Sequence, residues 1–194
     1  MVEYYRLYWN QTRMGGRQPE DLPRQIQVKD LYAALGLSSP GVNEQILAEF
    51  TAKENQQGIK IPTQIKNLLS IPNIFQLILG SHPNAPELVL PGDDEFYLKK
   101  VNTDKLRGDC IMSLMLPHQG EHIWEAVFYP DEEDARVYIT SYDVDDDYWV
   151  LSAPSTTFFF WDLAQTGLTW YQSTKYKGGK NVRKTDLGLI PDNT

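Results

Sequence analysis

Apolar positions recur at two different periods along this chain, and the period changes near residue 87. Before that point, spacings of three and four residues predict helices; after it, short runs of β-branched and aromatic residues predict strands. A short amphipathic helix is expected around Val28 to Leu37, with Gly36 helping to end it. Ser39-Pro40 reads as the start of the next helix, on which Val42, Ile46, Leu47 and Phe50 share a face and Glu49 and Lys53 form an i,i+4 pair, until Gly58 stops it. A further helical region is divided by Pro72 into TQIKNLLS and NIFQLILG. Its apolar residues Ile65, Leu68, Leu69, Phe75, Leu77, Ile78 and Leu79 need a large surface to pack on.

The second half reads as ELVL, EFYLKKV, DCIMSLML, HIWEAVFY, RVYITSY and YWVL, separated by Pro, Gly and Asp. Close spacing without helices between them predicts an antiparallel meander. DCIMSLML is apolar on both faces and is expected to be central, whereas HIWEAVFY alternates and should have one wetter face. Pro154-Ser155 opens a last helix, with the Ser155 hydroxyl as its cap and Phe159, Phe160, Leu163, Ala164, Gly167, Trp170 and Tyr171 as its apolar stripe. The predicted class is therefore α+β: N-terminal helices, a central, mostly antiparallel sheet of about five to six strands, and a C-terminal helix packed on it. Residues 1–40 read as an N-terminal extension whose aromatic stretch, Val2 to Trp9, suggests a strand that joins or covers the sheet. Residues 41–172 form the domain, and residues 173–194 a polar, basic tail expected to be mobile or to dock weakly.

Composition narrows the function more than the fold. The 194 residues are 41% hydrophobic and 12% aromatic, as in a globular domain, and carry a formal charge of −8. That balance argues against nucleic acid as a partner and favours a basic one. A single cysteine, Cys110, permits no internal disulfide, and nowhere do about 18 apolar residues run together. A cytoplasmic protein without membrane contact, monomeric or weakly dimeric, is expected.

LPHQGEHIW holds the one pattern with metal chemistry in it. His118, Glu121 and His122 match H-x-x-E-H, in which a helix brings both histidines to one zinc ion. Pro117 and Gly120 are poor residues for the interior of that helix, and both flanks read as strands. A hairpin turn is the better interpretation, and a zinc hydrolase a remote alternative. Asp143-x-Asp145-Asp146-Asp147 begins like a calcium loop but lacks the sixth-position glycine and the twelfth-position glutamate, where Pro154 stands. No nucleophile elbow, phosphate loop or dinucleotide fingerprint is present. Neither a catalytic residue, a metal nor a cofactor is therefore assigned.

The 17 residues from Asp131 to Asp147 contain eight acids and one base, Arg136. The acids flank the strand RVYITSY as two groups. One is Asp131, Glu132, Glu133 and Asp134; the other is Asp143, Asp145, Asp146 and Asp147, beside Tyr142, Tyr148 and Trp149. Charged loops protect sheet edges. Acids interleaved with aromatics also suit a basic protein partner, steered by charge and anchored by rings, such as a toxin or a nuclease domain.

These pieces resemble the SUKH superfamily, which includes fungal cell-wall-synthesis regulators and bacterial immunity proteins. The resemblance is carried by Glu54 followed by Ile59, Ile61 and Pro62, by Leu79-Gly80-Ser81-His82-Pro83, by Leu90-Pro91, and by Gln119-Gly120 leading to Trp124. It continues through Asp134 to Tyr138, Trp149-x-Leu151 and Ser155 to Phe160, covering roughly residues 42 to 172. It departs from the family at His118, where many members have Asn, and at both termini. The resemblance implies an α+β domain without catalytic residues that binds another protein. An immunity role against a toxin is one form of that; a regulator or scaffold for an endogenous partner is the other.

Overall fold

The structure, a computed structural model, describes residues 26–34, 37–38, 41–74, 87–101, 108–116, 122–141 and 149–173. The aromatic stretch at the N-terminus, the segment NIFQLILG beyond Ile74, the HQGE turn and the basic tail lie outside them. Among the described residues three helices come first: α1 (Val28–Ala34), α2 (Glu44–Gln57) and α3 (Thr63–Leu69). Six strands follow: β1 (Glu87–Leu88), β2 (Leu98–Lys100), β3 (Cys110–Leu116), β4 (His122–Phe128), β5 (Arg136–Ser141) and β6 (Trp149–Ala153). Helix α4 (Thr156–Ser173) ends the described chain. This is the α+β class.

The second helix starts later than the Ser39-Pro40 signal suggests. Asn43 takes extended geometry, and its side-chain oxygen accepts from the N–H groups of Gln45 and Ile46 at 3.1 and 3.4 Å. Its own N–H donates to the Ser70 carbonyl at 2.7 Å, which ties the helix start to the end of α3. The later start leaves Val42 outside the helix and 51% exposed, whereas Phe50 is fully buried. Gly58 closes α2 in the left-handed region, with φ 63°. Glu49 and Lys53 find other neighbours. The Glu49 carboxylate accepts from Gln45 Nε2 at 3.0 Å, and the Lys53 ammonium lies 5.5 Å from the Phe96 ring centre.

All strand pairings are antiparallel, and the order across the sheet is β1, β3, β4, β5, β6, with β2 also on β3. Strands β3 to β6 form the expected meander. β1 and β2 share the outer side of β3, pairing with its Leu116 and Cys110 ends respectively. A bulge between Ser113 and Met115 places consecutive residues Leu114 and Met115 in the same core. That core gathers Leu31, Phe50, Ile65 and Leu68 from the helices with Met112, Trp124, Phe128 and Val137 from one sheet face, and is completed by Phe159 and Phe160 of α4.

The expected wetter face of β4 does not exist: Ile123 through Phe128 are all buried. On the sheet's other face Ile111, Val127 and Tyr138 form a second apolar cluster, with Tyr97 and Val101 against it. Glu125, only 3% exposed, sits within this face and accepts a hydrogen bond from the Tyr97 hydroxyl. A polar residue at an alternating position is thus partnered inside the fold instead of facing water. Cys110 is wholly buried in β3, as a small core residue. Burial first, and then the neighbouring Asp109 charge and hydrogen bond, push its thiol up to about 11, with Lys100 pulling the other way.

Candidate functional site

Two features of α2 fix the ground from which the site is built. At its C-terminal end Glu54, 9% exposed, accepts the Ile61 N–H at 2.7 Å and the Lys66 ammonium at 2.9 Å through one oxygen. The carboxylate thereby fixes the turn that carries Ile59, Ile61 and Pro62 into α3. At its N-terminal end Asn43 joins α2 to Ser70. These two ties join α2 to α3, and a cleft of 510 Å³ is lined by both helices and by β1.

The cleft has an apolar floor and an acidic rim. Ile46 of α2, Leu69 of α3, Ile71, Ile74, Leu88 and Leu116 supply the floor; Glu87, Asp93 and Glu95 supply the rim, with Asn43 and Asn73 between them. Asn73 holds φ 57°, a backbone region that Asn tolerates better than most residues. Asp93 is partly engaged by the turn after Leu90-Pro91, since its Oδ2 accepts the Leu90 N–H at 2.6 Å and its N–H donates to the Leu90 carbonyl at 2.9 Å. Glu87 and Glu95 are exposed, and no described cation pairs with either. Such a cleft can hold an apolar side chain while presenting negative charge to a basic neighbour.

Of the acids singled out in the sequence, the structure describes those from Asp131 to Asp134. The Asp134 carboxylate points inward to the start of α4. It accepts from Thr156 N–H at 3.1 Å, Thr157 N–H at 3.3 Å, Thr157 Oγ1 at 2.8 Å and Ala135 N–H at 2.8 Å, and also from Thr156 Oγ1. Glu132 accepts the Tyr129 N–H at 3.1 Å and pairs with Arg136 at 3.1 Å. Asp131 and Glu133 are exposed. Trp149 opens β6, and Tyr142, Asp143, Asp145, Asp146, Asp147 and Tyr148 lie outside the described residues.

Sequence reasoning missed Glu87, Asp93 and Glu95. The signal available was the run PGDDE following a two-residue strand, outweighed by the denser acids further on. His122 begins a strand, so its backbone is not the helix that a shared zinc site with His118 would need. No group of three or more potential metal ligands occurs among the described residues. Among the described residues, no helix is long and apolar enough to cross a membrane. No protein-family model, curated protein or solved structure matches this chain.

Proposed function

We propose that this chain is a non-enzymatic protein-binding domain that covers a basic surface of its partner, in the manner of an immunity protein that neutralises a toxin. The observation that carries the reading is the cleft beside β1: Glu87 and Glu95, which pair with no cation among the described residues, above a floor of isoleucines and leucines. Charge at the rim would speed encounter and select basic partners, and the floor would supply the desolvated contact that holds them. The toxin-directed form of the reading rests on the order of motifs from Glu54 to Phe160 that resembles the SUKH superfamily. The contacts of Glu54 give the first of those motifs a physical purpose.

The test is capture from the protein's own cells at low salt with the tagged parent chain and with its Glu87→Lys/Glu95→Lys variant, followed by reconstitution with the purified partner. A basic protein retained by the parent, released by the variant and inhibited by an equimolar amount of the parent supports the proposal. Retention by both forms would remove the cleft from it. A partner bound without being inhibited would replace neutralisation with a regulatory or scaffolding role.

A further inference from the structure

Among the described residues, the cleft also runs along an edge of the sheet. Glu87, Leu88, Val89 and Leu90 all line it, and among the described residues β1 is bonded on one side only, to β3. In an antiparallel ladder, successive residues turn their N–H and C=O groups alternately toward and away from the partner strand. Val89 N–H donates to the Leu114 carbonyl at 3.0 Å, and the register pairs Glu87 with Leu116 and Leu88 with Met115. Leu88 therefore turns its N–H and C=O away from β3, into the edge. At Leu90, the next outward-facing residue, both groups are closed by Asp93. Among the described residues nothing closes those of Leu88.

We infer that a basic protein segment binds here as an extended strand added to β1 at Leu88, with its Lys or Arg side chains beside Glu87 and Glu95 and an apolar side chain on the floor formed by Ile46, Ile71 and Ile74. The inference rests on the protein-binding reading and names its mode. Charge complementarity identifies the occupant: an acidic rim repels a second acidic edge and accepts a basic one. The alternation of an extended segment sends every second side chain to the floor and those between toward the rim. One outward donor and acceptor pair fixes its register.

The experiment titrates the isotope-labelled full chain with an acetylated Lys-Val-Lys-Val-Lys peptide, following the Leu88 amide by NMR. Its controls are the Glu-Val counterpart and Lys-Val peptides N-methylated at alternate residues in either register. The expected result is a shifted Leu88 amide, and binding weakened about fivefold to tenfold in the N-methylated register that faces β1. Equal binding by both methylated peptides with Leu88 unmoved, or no binding by the parent peptide, would overturn strand addition. The protein-binding reading stands or falls separately, on whether Glu87→Lys/Glu95→Lys releases the captured partner.

Discussion

A single carboxylate, Asp134, joins the turn before β5 to the start of α4, where Ser155 Oγ also accepts the Phe158 N–H at 3.0 Å. The helix thus has a local cap and a distant one, and a negative charge at its positive end. Replacing Asp134 with Ala strands donors of Thr156 and Thr157, which are buried, and is expected to cost about 2–3 kcal/mol. Asp131→Ala and Glu133→Ala, at exposed positions, should stay within about 0.5 kcal/mol of the parent in the same denaturant titrations. Glu54 permits a finer cut. Glu54→Gln keeps an acceptor for the Ile61 N–H and loses the Lys66 ion pair, so a cost of about 1 kcal/mol is expected; Glu54→Ala also leaves that buried N–H unpaired, for about 2–3 kcal/mol. Equal losses from the two variants would show that the ion pair, not the hydrogen bond to Ile61, holds the turn. Cys110 adds a pH effect. Its thiol is raised from 9.0 in the open chain to about 11 in the fold. The stabilisation that goes with the protonated thiol is complete below pH 9 and is lost as pH rises through 11. The parent should therefore lose more stability across that window than Cys110→Ala, as read from denaturation midpoints.

The elements themselves were largely legible, because period and punctuation are local properties. Ser155 and Gly58 marked helix ends in the sequence and mark them in the structure. The start of α2 was not decided locally: Ser39-Pro40 and Asn43 are both plausible caps, and the bond from Asn43 N–H to Ser70 favours the second. The two-sided burial of β4 was hidden for a related reason. Glu125 reads as a solvent position in alternation and becomes interior only once Tyr97, the residue before β2, reaches its carboxylate. The cleft is less legible still, since it exists only where α2, α3 and β1 meet. Two glycines distinguish conformational from steric demands at this scale. At Gly58 an added Cβ meets nothing within 4 Å, so Gly58→Ala should cost about 1 kcal/mol through its positive φ alone. At Gly108 the Cβ would come within 2.8 Å of Val127 Cγ1 and 3.0 Å of the Phe128 nitrogen. Gly108→Ala must shift β-sheet backbone, and a larger loss, about 2 kcal/mol, is expected in the same titration.

Across the whole molecule, charge is uneven in a way that separates encounter from grip. The 17 residues from 131 to 147 carry −7 of a net −8, yet the carboxylates of Asp134 and Glu132 are engaged by partners within the chain. Asp143, Asp145, Asp146 and Asp147 remain the densest acids in the sequence, and Glu87, Asp93 and Glu95 form the rim of the cleft. Charges that act at a distance change association rates and are screened within about 8 Å at physiological salt, whereas groups desolvated in the contact change dissociation. With a purified partner, a variant carrying Lys at all four of those Asp positions is expected to associate more slowly and with a flatter salt dependence, at an unchanged dissociation rate. Glu87→Lys/Glu95→Lys should instead dissociate about tenfold faster, since two partner cations would lose their counter-charges at the contact. Stopped-flow association and dissociation measured across a salt series separate the two. If the four-Lys variant associates like the parent at every salt concentration, the 131–147 acids serve solubility and the fold. Recognition would then rest on the cleft alone.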